Sequence, residues 1–118
     1  MIEISQRFSF DAAHRLDAGA ARNRELHGHS FYVEVTLRGE ADARTGFLRD
    51  FGEVDRALEQ VRDLLDHRLL NDVEGLGSPT LENLARYIYD RARIFLPEVA
   101  CVRIERPSCA QACTYRGS

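Results

Sequence analysis

Two histidines separated by one residue, His27 and His29, open a run in which Phe31, Val33, Val35 and Leu37 alternate with Ser30, Tyr32, Glu34, Thr36 and Arg38. Successive side chains of a strand point to opposite faces, so the alternation places both imidazoles on the apolar, core-facing side. A buried imidazole needs a partner. The N-terminal run supplies one by the same parity: Ile2, Ile4, Phe8 and Phe10 are its apolar set, and the series continues through Ala12 to His14. If the two strands pair, three imidazoles converge at one end of a sheet. Three nitrogen ligands without a fourth describe a catalytic zinc site with an open position, whereas structural sites usually fill all four. The duller reading of each histidine alone is a satisfied core residue, and a bulge over residues 11 to 13 would reset the parity of His14.

Asp66-His67 is a second candidate. Histidine titrates close to neutral pH, so His67 oriented by Asp66 would serve as an acid or base. The competing reading is a helix C-terminus, where the dipole favours histidine. Glu105 ends a strand and is, alone, a surface carboxylate. Cys101, Cys109 and Cys113 are odd in number, match no paired zinc spacing, and read as reduced thiols.

Composition narrows the chemistry. All 16 basic residues are arginine, which excludes Schiff-base lysine catalysis and a phosphate-binding P-loop. A net charge of −3 argues against an electrostatic nucleic-acid binder. No run is long enough to span a bilayer, and the N-terminus has no secretory n-region and h-region, so the expected location is the cytoplasm. The 118 residues make one domain, 1–118.

The elements that must position these residues follow from periodicity. The first strand is expected over 2–10, a loop with a short helical turn over 11–25 as an active-site wall or lid, and the second strand over about 29–39. Asp50 is a plausible N-cap with Glu53 three residues on, and Phe51, Val54, Leu58, Val61 and Leu65 give one apolar helical stripe. After a loop over 71–78, either Ser78-Pro79 or Thr80 starts a second helix carrying Leu81, Leu84, Ile88, Ala92 and Phe95, which Pro97 stops. A strand over Val99 to Glu105, a loop over 107–112 and a short closing strand at 114–116 complete the chain. The fold class is α+β: a four-stranded antiparallel sheet with two helices on one face. Its open edges favour association with further copies.

These motifs resemble those of the 6-pyruvoyltetrahydropterin synthase family, which includes the 6-carboxytetrahydropterin synthases of queuosine biosynthesis. The resemblance rests on Phe8-Ser9-Phe10 with Ala13-His14-Arg15-Leu16, Leu26-His27-Gly28-His29, Gly46 with Asp50-Phe51, Leu65-Asp66-His67 with Leu70-Asn71, Pro79 to Leu84, Glu105, and Tyr115-Arg116-Gly117. It implies the tunnelling fold, in which sheets join edge to edge into a barrel and sites form between subunits of a homo-oligomer, with a hexamer the expected count. It implies zinc on His14, His27 and His29, a pterin held by the carboxylate of Glu105, and a pocket shaped by Thr80 and Glu82. The implied substrate is 7,8-dihydroneopterin triphosphate, whose side-chain hydroxyls zinc would acidify while a base removes a side-chain proton.

One departure bears on mechanism. The usual members carry a catalytic Cys four residues before the first His of the His-Gly-His motif, where this chain has Asn23. A subgroup associated with folate synthesis uses Glu three residues before it; here that residue is Arg24, and Glu25 follows. Three routes stay open: Glu25 acts as base in an aldolase-like cleavage, Cys109 or Cys113 reaches the site, or His67 alone supports slow or altered chemistry. The leading expectation is a zinc-dependent lyase of the 6-carboxytetrahydropterin synthase type. The alternatives are a dihydroneopterin aldolase-like enzyme, a pterin-binding protein without catalysis, and a domain in which the metal is structural.

Overall fold

The computed structural model describes residues 1–118. In chain order the elements are β1 (Ile2–His14), β2 (His27–Gly39), α1 (Phe51–Asp63), α2 (Leu81–Phe95), β3 (Val99–Arg106) and β4 (Gln111–Tyr115), with short 3₁₀ turns at Ala21–Arg24, Leu70–Asp72 and Pro107–Cys109. The strands form one antiparallel sheet in the order β1-β2-β3-β4. Both helices cover one face of it. The core lies between, where Phe10, Phe31, Val35 and Ile104 of the sheet meet Val54, Leu58, Leu84 and Ile88 of the helices. The opposite face carries Arg7, Ser9, Tyr32, Glu34, Arg103 and Glu105, the other parity of the same strands.

Both long strands reach further than their apolar runs indicate. The ladder continues without a break through Phe10↔Phe31, Ala12↔His29 and His14↔His27, so no bulge intervenes and the parity of His14 holds. Residues 11–13 stay extended, although polar and small, because they are bonded on both sides. On the far side of β1 the Asp11 carbonyl accepts from His67 N–H at 2.7 Å, and Ala13 N–H donates to the Arg68 carbonyl at 3.1 Å. Ala13 and Leu69 form a short parallel bridge. The expected loop therefore begins after His14. It folds on itself, with Leu16 N–H bonded to the Asn23 carbonyl at 2.6 Å and the Asn23 amide donating to the Ala18 carbonyl at 3.2 Å.

The helices start where side chains can satisfy free N–H groups. Asp50 caps α1 by accepting from Gly52 N–H at 3.0 Å, while Glu53 pairs with Arg49 instead of closing a capping box. Thr80, not Ser78, caps α2, its hydroxyl accepting from Asn83 N–H at 3.1 Å. Phe51 and Phe95, expected on the apolar stripes, are 49% and 44% exposed, and Leu96 takes the buried position at the end of α2. The loop expected over 107–112 is tighter. Ala110, at φ +55, turns the chain so that β4 begins at Gln111.

Candidate metal and acid–base site

The ladder register brings the three imidazoles together. Ring centroids lie 4.7 Å apart for His14–His27, 5.1 Å for His14–His29 and 4.8 Å for His27–His29. Their candidate ligand nitrogens all fall within 4.8 Å of one another. Hydrogen bonds to carbonyls fix two of the tautomers, because a carbonyl only accepts. His14 Nδ1–H donates to the Pro79 carbonyl at 2.9 Å, and His27 Nδ1–H donates to the Glu25 carbonyl at 2.7 Å. Each ring therefore presents its Nε2 lone pair. The Nε2 atoms of His14 and His29 are buried and lack any hydrogen-bond partner.

Buried polar atoms left without a partner are costly unless something satisfies them. Burial pushes the pKa of His14 down, and it pushes His29 down to about 4, helped by the charges of His14, Arg106 and His27. Both rings are neutral at pH 7, the state a metal requires. Phe31 closes the apolar side, its ring edge-on to His14 at 5.8 Å and to His29 at 5.7 Å. Three imidazoles, two with carbonyls behind them and none with a fourth protein ligand, fit zinc with an open position.

Asp66 and His67 stand on the turn beyond α1, past the helix end where the capping reading would have put them. His67 adopts φ +59, a left-handed conformation sparsely populated outside glycine, and its N–H bond to Asp11 holds it there. Asp66 accepts from Asp11 N–H at 3.0 Å and from His67 Nδ1 at 2.9 Å, with Arg62 at 3.2 Å. Those bonds, the backbone one foremost, hold its carboxyl below the usual range. It is thus a carboxylate that orients His67 with Nδ1 protonated and Nε2 free. His67 and His29 line the same open groove, together with Ser30, Asp11 and Gly28.

The other candidates are dispersed. Glu105 sits opposite Tyr32 on the sheet face away from the helices, with Arg103 at 3.6 Å, so within one chain it does not meet the triad. Thr80 acts on His14 indirectly, by capping α2 directly after Pro79, and Glu82 is exposed on the first turn, near the Cys113 thiol. The Glu25 side chain is exposed beside His27. Cys113 pairs with Ile104, which pairs with Val33, so it is displaced about 14 Å from His29 along the strand direction at a rise of about 3.4 Å per residue. Burial also raises its pKa. Cys109 is exposed in the 3₁₀ turn after β3. Two contributors escaped sequence reasoning: the Pro79 carbonyl, visible only once α2 is placed, and Arg106, whose parity with Val102 and Ile104 turns it toward the triad.

Comparisons with known proteins agree with this geometry. Residues 3–118 match the family model described as 6-pyruvoyl tetrahydropterin synthase. A relative named dihydroneopterin monophosphate aldolase, from Pyrococcus furiosus, is 40% identical over 94 residues, covering 80% of this chain and 77% of its own. A 6-carboxy-5,6,7,8-tetrahydropterin synthase from Synechocystis is 41% identical over 91 residues, covering 73% and 70%. The solved structure of Caenorhabditis elegans 6-pyruvoyl tetrahydropterin synthase superposes with a TM-score of 0.86 at 29% identity, covering 99% of this chain and 96% of that one.

Proposed function

The chain belongs to the 6-pyruvoyl tetrahydropterin synthase family, and from that premise we propose that it is a zinc-dependent lyase that cleaves the side chain of a 7,8-dihydroneopterin phosphate. The observation that carries this reading is that one groove is lined both by His29, a member of an imidazole cluster with orphaned Nε2 atoms, and by His67 of an oriented Asp66–His67 dyad. The Nε2 atoms of His14, His27 and His29 would hold zinc, which when bound supplies a Lewis acid for the side-chain hydroxyls.

The rest of the chemistry falls to this chain's own residues. His67 Nε2 takes a side-chain hydroxyl proton while Asp66 retains the Nδ1–H and balances the imidazolium. The oxygen's electron pair forms a carbonyl, the adjacent carbon–carbon bond breaks, and its electrons pass into the C=N bond of the dihydropterin ring. The imidazolium proton then returns to the side-chain carbon left on the ring. A hydroxyl proton lies within reach of an imidazole, whereas the family's usual carbon-bound proton calls for the thiolate absent at Asn23. That difference favours an aldolase-type cleavage, with Glu25 a second base beside His27. The Pyrococcus relative's name supports the same branch. Conversion of the 6-carboxytetrahydropterin synthase type is the second reading, supported by the Synechocystis relative's name.

Glu105 and the triad occupy opposite faces of one sheet. A single pterin can touch both only if a neighbouring copy supplies one of them, so the working form is a homo-oligomer, a hexamer in the family pattern, acting in the cytoplasm without nucleic-acid partners. No helix is long and apolar enough to cross a membrane. The test is to incubate zinc-loaded protein with 7,8-dihydroneopterin monophosphate and triphosphate and weigh the pterin products. A hydroxymethyl product supports aldolase-type cleavage, and a carboxy product supports the second reading. Unchanged substrate that nevertheless binds would leave a pterin-binding protein and overturn the lyase.

A further inference from the structure

Arg106 is the last residue of β3 and pairs with Gln111 of β4. The β2–β3 register, Val33↔Ile104 and Tyr32↔Glu105, carried one step on, sets Arg106 against Phe31, the residue whose ring edges His14 and His29. Arg106 shares the parity of Val102 and Ile104, so its side chain leaves the sheet on the triad's face. The guanidinium is only partly spent. Nη2 donates to Gln111 Oε1 at 2.8 Å, while Nε is buried and has no acceptor.

A permanent cation next to three metal-ligating imidazoles opposes metal binding, and an Nε–H without an acceptor adds a desolvation cost. An anion bound between Arg106 and the metal position offsets both. Arg68, the guanidinium that lines the groove of His29 and His67, is exposed and leans on the Asp63 carbonyl at 3.4 Å, a weaker candidate. We propose that Arg106 is the anion-binding residue of this site and that it selects a phosphorylated side chain on the pterin. This rests on the pterin reading above and deepens it, naming the group that separates accepted from rejected substrates. Planar fork geometry suits a phosphate's oxygens, and Gln111 fixes the fork's orientation.

The experiment titrates zinc-loaded full-length protein with 7,8-dihydroneopterin and with its monophosphate by calorimetry, in the wild type and in Arg106→Met, Arg106→Lys and Gln111→Ala. Wild type is expected to bind the monophosphate about 10- to 100-fold more tightly than the unphosphorylated pterin. Arg106→Met erases that ratio by weakening only the monophosphate, Arg106→Lys restores part of it, and Gln111→Ala loses a smaller part. Zinc content and melting temperature of each variant verify that the site is intact. Equal wild-type affinity for the two pterins, or an equal loss of both in Arg106→Met, overturns the assignment and leaves the pterin reading standing. Failure of wild type to bind either pterin overturns the pterin reading, and the assignment falls with it.

Discussion

His67 shows how much a single residue gives up for its position. It occupies a left-handed conformation at φ +59 and is held by a hydrogen bond from its own N–H, a strain of about 1–3 kcal/mol that the fold tolerates. Asparagine tolerates this region better than most residues. His67→Asn is therefore expected to leave the denaturation midpoint unchanged or raise it slightly, while turnover of the dihydropterin falls by at least about 100-fold, the usual worth of a general base. A variant that loses stability and keeps turnover would remove His67 from the chemistry. The triad makes a separate prediction. His14 and His29 ionise at lower pH in the folded chain than the ordinary 6.5, His29 near 4. Between those values the unfolded chain binds protons that the native one does not, so the metal-free protein loses stability as pH falls from about 6.5 toward about 4. Melting curves of the apo protein across that interval should fall steadily, and a flat profile would mean the imidazoles are satisfied otherwise. His27→Ala should lose stoichiometric zinc and stay folded, since His27 is only partly buried. The clustering of the three imidazoles was legible in the sequence because period-two parity alone places them on one face. The tautomers were not, because the carbonyls of Pro79 and Glu25 that set them carry no side-chain signature.

At the scale of elements, the site depends on helix α2 as much as on the strands. Thr80 caps the helix and Pro79 directly precedes it, so the cap fixes the carbonyl that orients His14. Thr80→Ala should cost about 1 kcal/mol of stability and speed zinc release, as outer-shell changes do. Thr80→Ser, which keeps the hydroxyl, should restore both. Loss of stability without faster release, followed with a chromogenic chelator, would confine Thr80 to its helix. The order of strands and helices and their apolar faces could be read directly, since each is a local periodicity. The reach of β1 to His14 could not. Asp11, Ala12 and Ala13 lack strand character, and they stay extended because β2 and residues 66–69 bond them from either side. Contacts spanning some fifty residues leave no local trace. The same limit applies to Arg106, which reads as an ordinary surface charge until the register sets it against Phe31.

The whole molecule is elongated, 55 × 24 × 22 Å, with a radius of gyration of 15.2 Å, against about 13.5 Å for a compact chain of this length. The excess comes from two paired strands of 13 residues each, a ribbon too long for two short helices to cover. Its edges are uneven. At Asp11 and Ala13 the outward backbone groups are bonded to residues 67 and 68, and Arg62 reaches the Ser9 carbonyl at 2.8 Å. By the same alternation the N–H groups of Glu3, Ser5 and Arg7 also point away from β2, with no strand beside them in this chain, and β4 is the other edge. In the assembly proposed above, edge pairing between copies would join the two and supply the neighbour that a pterin bound to both Glu105 and the triad requires. Ser5→Pro deletes one outward N–H while leaving every β1–β2 bond in place. Light scattering should find the wild type as an assembly and the variant as a smaller species. Zinc content should persist, because the triad lies within one chain, while pterin affinity should collapse with the assembly. A dissociated variant that still binds pterin with wild-type affinity would show that one chain makes the whole site, and Glu105, on the far face, would then lie outside it.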